Sequence, residues 1–165
     1  MIDKLRHIEL FRGLSGDEAA LSQVARLCTT LACGAGTLVF AEGDVGDTMY
    51  IIKSGVVEIV KKTSQGDSYT VAELSSDKNM FFGEMAILDE EKRSAGVLCR
   101  TDCEFWVLSR RNFLALGDAS PVIGLSITRE VAKIVVRRLR KANGDIITLF
   151  DALVGEVAES GGLGA

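Results

Sequence analysis

Between Gly36 and Arg110 the chain is a succession of short β-prone runs separated by glycine-bearing turns, and this cadence limits the folds open to it more than any other feature. The runs are Val39-Phe40, Met49-Tyr50-Ile51-Ile52, Val56-Val57-Glu58-Ile59-Val60, Tyr69-Thr70-Val71-Ala72, Gly96-Val97-Leu98-Cys99 and Glu104-Phe105-Trp106-Val107-Leu108. They are rich in β-branched and aromatic residues, and Gly-Asp and Gln-Gly-Asp turns interrupt them. Strands recurring at this pace predict a sandwich or jelly roll and not a parallel sheet.

Helices flank this region. Ile2, Leu5, Ile8 and Leu10 recur at roughly helical spacing, and Ser15-Gly16-Asp17-Glu18 has a capping-box pattern ahead of Ala19-Ala20-Leu21. The spacing predicts two opening helices within 2–33, the second ending near Cys33-Gly34. Ser120-Pro121 marks another start, with serine as N-cap and proline at the first helical position. Beyond it an apolar stripe runs through Ile127, Val131, Ile134, Val135, Leu139 and Ala142, then Ile146, Leu149, Phe150 and Leu153. A helix of that length exceeds what one small barrel covers, so its second apolar strip predicts a homodimer through the C-terminal helix. The expected organisation is one domain over 1–158, with helices in 2–33, a β-roll over 36–110, C-terminal helices in 111–158 and a frayed tail at 159–165.

The chemistry concentrates in Phe82-Gly83-Glu84-Met85-Ala86-Ile87-Leu88-Asp89-Glu90-Glu91-Lys92-Arg93-Ser94-Ala95. Gly83 lets backbone amides approach a ligand, and the apolar run after Glu84 reads as a short helical turn whose first N–H groups face an anion. Arg93 presents a planar fork of donors that matches two phosphate oxygens. A carboxylate beside a phosphate is repelled, so Glu84 fits the site as an acceptor for sugar hydroxyls. Each residue also has a plain alternative: Arg93 in a surface ion pair with Glu90 or Glu91, and Glu84 as a helix cap.

This segment resembles the phosphate-binding cassette of the cyclic nucleotide-binding domain family, whose pattern runs Phe-Gly-Glu, a small apolar helix, a loop, then Arg-Ser/Thr/Ala-Ala. Gly36-Thr37-Leu38-Val39-Phe40-Ala41-Glu42-Gly43-Asp44 and Asp47-Thr48-Met49-Tyr50-Ile51-Ile52-Lys53-Ser54-Gly55 resemble the family's early strands and turns, so the likeness covers roughly residues 10 to 143. It implies a mainly β fold with flanking helices, a double-stranded β-roll with N-terminal helices and a long C-terminal helix. It also implies a 3′,5′-cyclic nucleotide as ligand. Arg93 would pair with the phosphate, Glu84 with the ribose 2′-hydroxyl, and amides near Met85 and Ala86 with phosphate or sugar. Ser94 and the Ala95 amide would complete the cradle, behind Phe82 and Gly83, with Val71 and Leu74 lining the base pocket. By the same likeness Asn143 meets the base, where its amide can pair with the N6/N7 edge of adenine. Ser94 does not decide between bases, and the threonine expected beside Asn143 is replaced by Ala142, so cAMP is favoured over cGMP without excluding it. The loop Ser75-Ser76-Asp77-Lys78-Asn79-Met80 departs from the family's Gly-Asp turn.

Composition narrows the function further. A formal net charge of −4 argues against a surface built for nucleic acid, and Arg137-Arg138-Leu139-Arg140-Lys141 reads as a solvated helix face. No stretch approaches the ~18–20 apolar residues of a membrane span, and the N-terminus lacks the apolar core of a signal peptide, so a cytoplasmic location is expected. Catalytic metals on jelly rolls need two or three histidines, and His7 is the only one. Hence no catalytic residue, metal or cofactor beyond the nucleotide is expected. Cys28, Cys33, Cys99 and Cys103 show no Cys-x-x-Cys pair and read as buried reduced thiols. The expectation is a stand-alone, non-catalytic sensor that shifts its C-terminal helix on binding and acts on an effector still to be identified, without contacting DNA itself. The alternatives are a degenerate pocket retained as a dimerisation scaffold and a redox or gas sensor on the same fold.

Overall fold

The computed structural model describes residues 1–161, with side chains through 155. Helix α1 (Ile2–His7), a 3-10 stretch (Glu9–Leu14) and α2 (Glu18–Leu27) lead into eight strands. These are β1 (Thr29–Cys33), β2 (Leu38–Phe40), β3 (Thr48–Ser54), β4 (Val56–Lys62), β5 (Ser68–Ser75), β6 (Phe81–Phe82), β7 (Gly96–Cys99) and β8 (Cys103–Ser109). Helices α3 (Arg110–Ala119) and α4 (Pro121–Gly161) follow. The strands form two four-stranded antiparallel sheets, ordered β1-β8-β3-β6 and β2-β7-β4-β5, which make up the expected β-roll with its flanking helices.

Period-two alternation builds the roll. Tyr50 and Ile52 of β3 face a core of Val57, Phe82, Val97, Cys99, Cys103 and Phe105, with Phe40, Ile59 and Leu74 packed against it. Met49 and Ile51 point the other way and are equally buried, which is why this strand is a continuous apolar run. Each such side chain contributes roughly 1.5–3 kcal/mol on burial.

Three boundaries differ from the sequence expectation. The second helix ends at Leu27, not near Cys33-Gly34: Cys28 turns extended (φ −84°, ψ 137°), and the β-branched Thr29 and Thr30 begin a strand that pairs along β8. The roll therefore starts at Thr29 rather than at 36. The cap of α2 is Asp17, whose Oδ1 accepts from the Ala20 amide at 2.9 Å, and not Ser15. Pro121 does open α4, but the Ser120 hydroxyl bonds Gln23 Oε1 at 3.1 Å while the Ser120 carbonyl accepts from the Ile123 and Gly124 amides. Gly124 is required by close approach, since a Cβ there would lie 2.7 Å from Gly117 Cα.

The chain divides into two units, Met1–Glu130 and the chain from Val131 onward. The first holds both sheets. In the second, α4 continues through Gly144 without interruption and carries Leu139, Ile146, Leu149, Phe150 and Leu153 exposed. The helix takes up 159–161 of the expected tail, and residues 162–165 lie outside the described residues. Among the described residues, no helix is long and apolar enough to cross a membrane.

Candidate functional site

The site is built where β6 ends. Gly83 follows Phe82 in the left-handed region (φ 73°) and caps a 3-10 turn over Glu84–Ile87. Only glycine suits this position on two counts, because a Cβ would also stand 3.0 Å from the Thr48 carbonyl and 2.8 Å from Arg93 Nη1. The turn closes on itself through Ala86 N to Gly83 O at 3.1 Å and Leu88 N to Met85 O at 3.0 Å. The Ala86 amide, expected to hold phosphate or sugar, is thus engaged inside the turn.

Arg93 is brought directly against this glycine. Its backbone is pinned on both sides, with Arg93 N donating to Asp44 O at 2.7 Å and Gly43 N donating to Arg93 O at 2.9 Å. The side chain is 8% exposed, so the alternative of a surface ion pair with Glu90 or Glu91 is overturned, and Glu90 instead pairs with Arg110. The guanidinium lies over the Phe40 ring, 4.1 Å from its centroid, with Tyr50 at 5.9 Å. Its Nη2 donates to Thr48 Oγ1 at 3.1 Å, and that hydroxyl meets the Tyr50 hydroxyl at 3.1 Å. Nε and Nη1 are buried without a hydrogen-bond partner. Burial pushes the Arg93 pKa down, opposed by the fields of Tyr50, Asp47, Asp44 and Glu84.

Glu84 is only 2% exposed and its carboxylate lies within electrostatic reach of Arg93. Ser94 is exposed and Ala95 half-buried beside the arginine, and Met85 is exposed on the turn. Phe82 turns its ring into the core, stacked on Tyr50 at 5.0 Å and 9° and edge-on to Phe105, so it serves the site by fixing Gly83. Leu74 packs on the core, and Val71 is 53% exposed on edge strand β5. The glycine-free loop after β5 is closed by a left-handed Asn79 (φ 51°), which does there what a glycine would do. Asn143 is exposed on α4 in the second unit.

Sequence reasoning did not assign four residues here: Phe40, Gly46, Thr48 and Tyr50. A Cβ on Gly46 would fall inside 3.0 Å of the guanidinium, so this glycine makes room for the arginine. The even-numbered spacing of Thr48 and Tyr50 on β3 was the available signal, since it puts both on one face. Together these groups make a buried cation with two unused N–H donors, walled by aromatic rings and flanked by a buried carboxylate. That arrangement is chemically suited to an anion carrying hydroxyls. Among the described residues, no group of His, Cys, Asp or Glu is placed to hold a metal.

Residues 31–120 match the family model described as the cyclic nucleotide-binding domain. The chain is 34% identical over 136 residues to the cyclic AMP receptor protein of Thermus thermophilus, covering 81% of this chain and 58% of that protein. It is 30% identical over 112 residues to a cAMP-dependent protein kinase regulatory subunit of Aspergillus niger, covering 68% of this chain and 26% of that one. The crystal structure of the Thermus thermophilus catabolite activator protein is similar with a TM-score of 0.74 and 31% identity, over 86% of this chain and 62% of that one. The chain therefore spans less than two thirds of each of these relatives.

Proposed function

The chain belongs to the cyclic nucleotide-binding domain family, and from that premise we propose that it binds a 3′,5′-cyclic nucleotide, cAMP ahead of cGMP, as a regulatory sensor that performs no catalysis. The observation that carries this reading is the Arg93 guanidinium, buried yet with Nε and Nη1 unpartnered. A buried polar group left so is costly, and a cyclic phosphate, with one negative charge and two free oxygens, supplies the acceptors that such donors lack. Glu84 takes the ribose 2′-hydroxyl, a contact that sets a nucleotide apart from an inorganic anion. The Met85 amide, Ser94 and the Ala95 amide complete the cradle. Val71 and Leu74 meet the base, and Asn143 is the adenine contact on the strength of its sequence position. The names of the receptor protein and kinase subunit among the relatives support cAMP as the nucleotide.

Binding acts by shifting an equilibrium between positions of the C-terminal helix, to the extent that the ligand prefers one of them. The exposed residues Leu139, Ile146, Leu149 and Leu153 on α4 recur at steps of seven, three and four, the seam spacing of a two-stranded coil, which supports pairing with a second copy. The effector remains to be identified by capture.

Calorimetric titration of protein unfolded and refolded to strip carried-over nucleotide tests the reading. Micromolar binding of cAMP, weaker binding of cGMP and none by AMP is the expected result. The absence of heat with either cyclic nucleotide would overturn it and leave a dimerisation scaffold.

A further inference from the structure

Three of the four cysteines meet at one end of the roll. Cys33, the last residue of β1, stands directly opposite Cys103, the first residue of β8, in the antiparallel register. Cys99 at the end of β7 comes from the other sheet and is in side-chain hydrogen-bonding contact with both. Cys99 and Cys103 belong to the buried core, and Cys33 packs against them while half-buried, so it is the thiol of the three most open to solvent. Cys28 is separate: its Sγ donates to Val24 O at 3.4 Å at the end of α2.

Register makes the first two a matched pair. Residues directly opposed in an antiparallel ladder have Cα atoms about 4.5–5.5 Å apart, inside the ~4.4–6.8 Å that a disulfide spans. Both residues also sit where their strands begin or end, so drawing the sulfurs together displaces no central strand. Cys99 is the poorer partner. Burial, then its contacts with Cys103 and Cys33, push its pKa up to about 12, which keeps it a thiol, whereas attack on sulfur or oxygen requires thiolate.

We propose that Cys33 and Cys103 form a modification site, a reversible disulfide made in response to a hydroperoxide. The Cys33 thiolate attacks one peroxide oxygen and the O–O bond breaks, giving Cys33 sulfenic acid and, after protonation of the leaving oxygen, water or an alcohol. Cys103 gives its proton to water, its thiolate attacks the Cys33 sulfur and the S–O bond breaks. The departing hydroxide takes up a proton and leaves as water. The pair gives up two electrons and two protons, which the peroxide accepts, and a dithiol reductant reverses the reaction. The bridge closes a chain segment that contains Gly83, Glu84 and Arg93, so it restrains the strands that carry the anion site.

The test treats the full reduced chain with a modest excess of hydrogen peroxide. Free thiols counted under denaturing conditions should fall from four to two, the intact mass should drop by about 2 Da, the mass of the two hydrogens lost, and peptide mapping should link Cys33 to Cys103. The thermal midpoint should rise and return on adding dithiothreitol. A Cys28→Ala Cys99→Ala variant, which keeps only the proposed pair, should cross-link as well, while Cys33→Ser should lose no thiols. Four surviving thiols, a gain of oxygen without a cross-link, or a bridge through Cys28 or Cys99 would each overturn the proposal.

Discussion

Replacing Arg93 with methionine separates the cost of the binding site from its use. In the free protein the guanidinium is buried with two N–H edges unpartnered, a penalty of roughly 1–3 kcal/mol each. Against this stand its position over Phe40, about 0.5–2 kcal/mol, and the charged hydrogen bond to Thr48, about 1.5–3 kcal/mol. The opposing contributions nearly cancel, and methionine fills a similar space with apolar atoms. Free Arg93→Met should therefore lie within about 2 kcal/mol of the parent, or about 4–8 °C in melting temperature at 2–4 °C per kcal/mol. Ligand binding should respond very differently. Removing the partner of a buried charge costs about 3–5 kcal/mol, a loss in affinity of roughly 10²–10³-fold or more. Thermal melts with and without cAMP read both quantities in one experiment. At a hundred times its dissociation constant, ligand adds about 2.7 kcal/mol to the parent and should add at most about 0.4 kcal/mol to the variant at the same concentration. A variant that melts early without ligand would make Arg93 a structural residue. One that keeps the ligand-induced shift would remove it from the site.

Four further outcomes follow from the same geometry. Glu84→Gln should weaken cAMP by roughly 10- to 100-fold, the worth of a charged hydrogen bond, yet leave 2′-deoxy-cAMP nearly unaffected, and equal losses for both nucleotides in calorimetry would refute the ribose contact. Asn143→Ala should lower the cAMP to cGMP preference by about 1–3 kcal/mol with phosphate binding retained, and an unchanged ratio in competition titrations would discard that role. Gly124→Ala should destabilise by about 1–3 kcal/mol in urea unfolding, because its Cβ meets the Gly117 backbone at 2.7 Å; a neutral result would show that the α3–α4 contact yields. Leu149→Glu should convert a dimer to monomers in sedimentation velocity with the melt of the roll unchanged, and a parent that is already monomeric would end the helix-pairing proposal.

The residues that bear charge were legible because their constraint is local. Gly83, Glu84 and Arg93 lie within ten positions of one another, and a turn that admits only glycine next to an acid leaves few meanings open. Most strand runs were legible for a similar reason, through alternation and glycine turns. What sequence reading missed depends on pairing across distance. Thr29–Cys33 is a strand because β8 lies alongside it, and the two residues of β6 are a strand only by pairing with Tyr50 and Ile51. The aromatic wall around Arg93 draws Phe40 from β2 and Tyr50 from β3, so no window of sequence contains both with the arginine. A motif search finds the charges proposed to meet a ligand, but the wall decides whether those charges are buried, and burial decides what binding would be worth. An arginine in the same sequence pattern on an exposed strand would hold a phosphate with the small energy of a surface ion pair. Here Phe40 and Tyr50 stand against the guanidinium and keep water from it, so an anion that reached it would be held in a medium where charge attraction is strong. Substituting the wall should therefore weaken binding without touching a single residue of the motif.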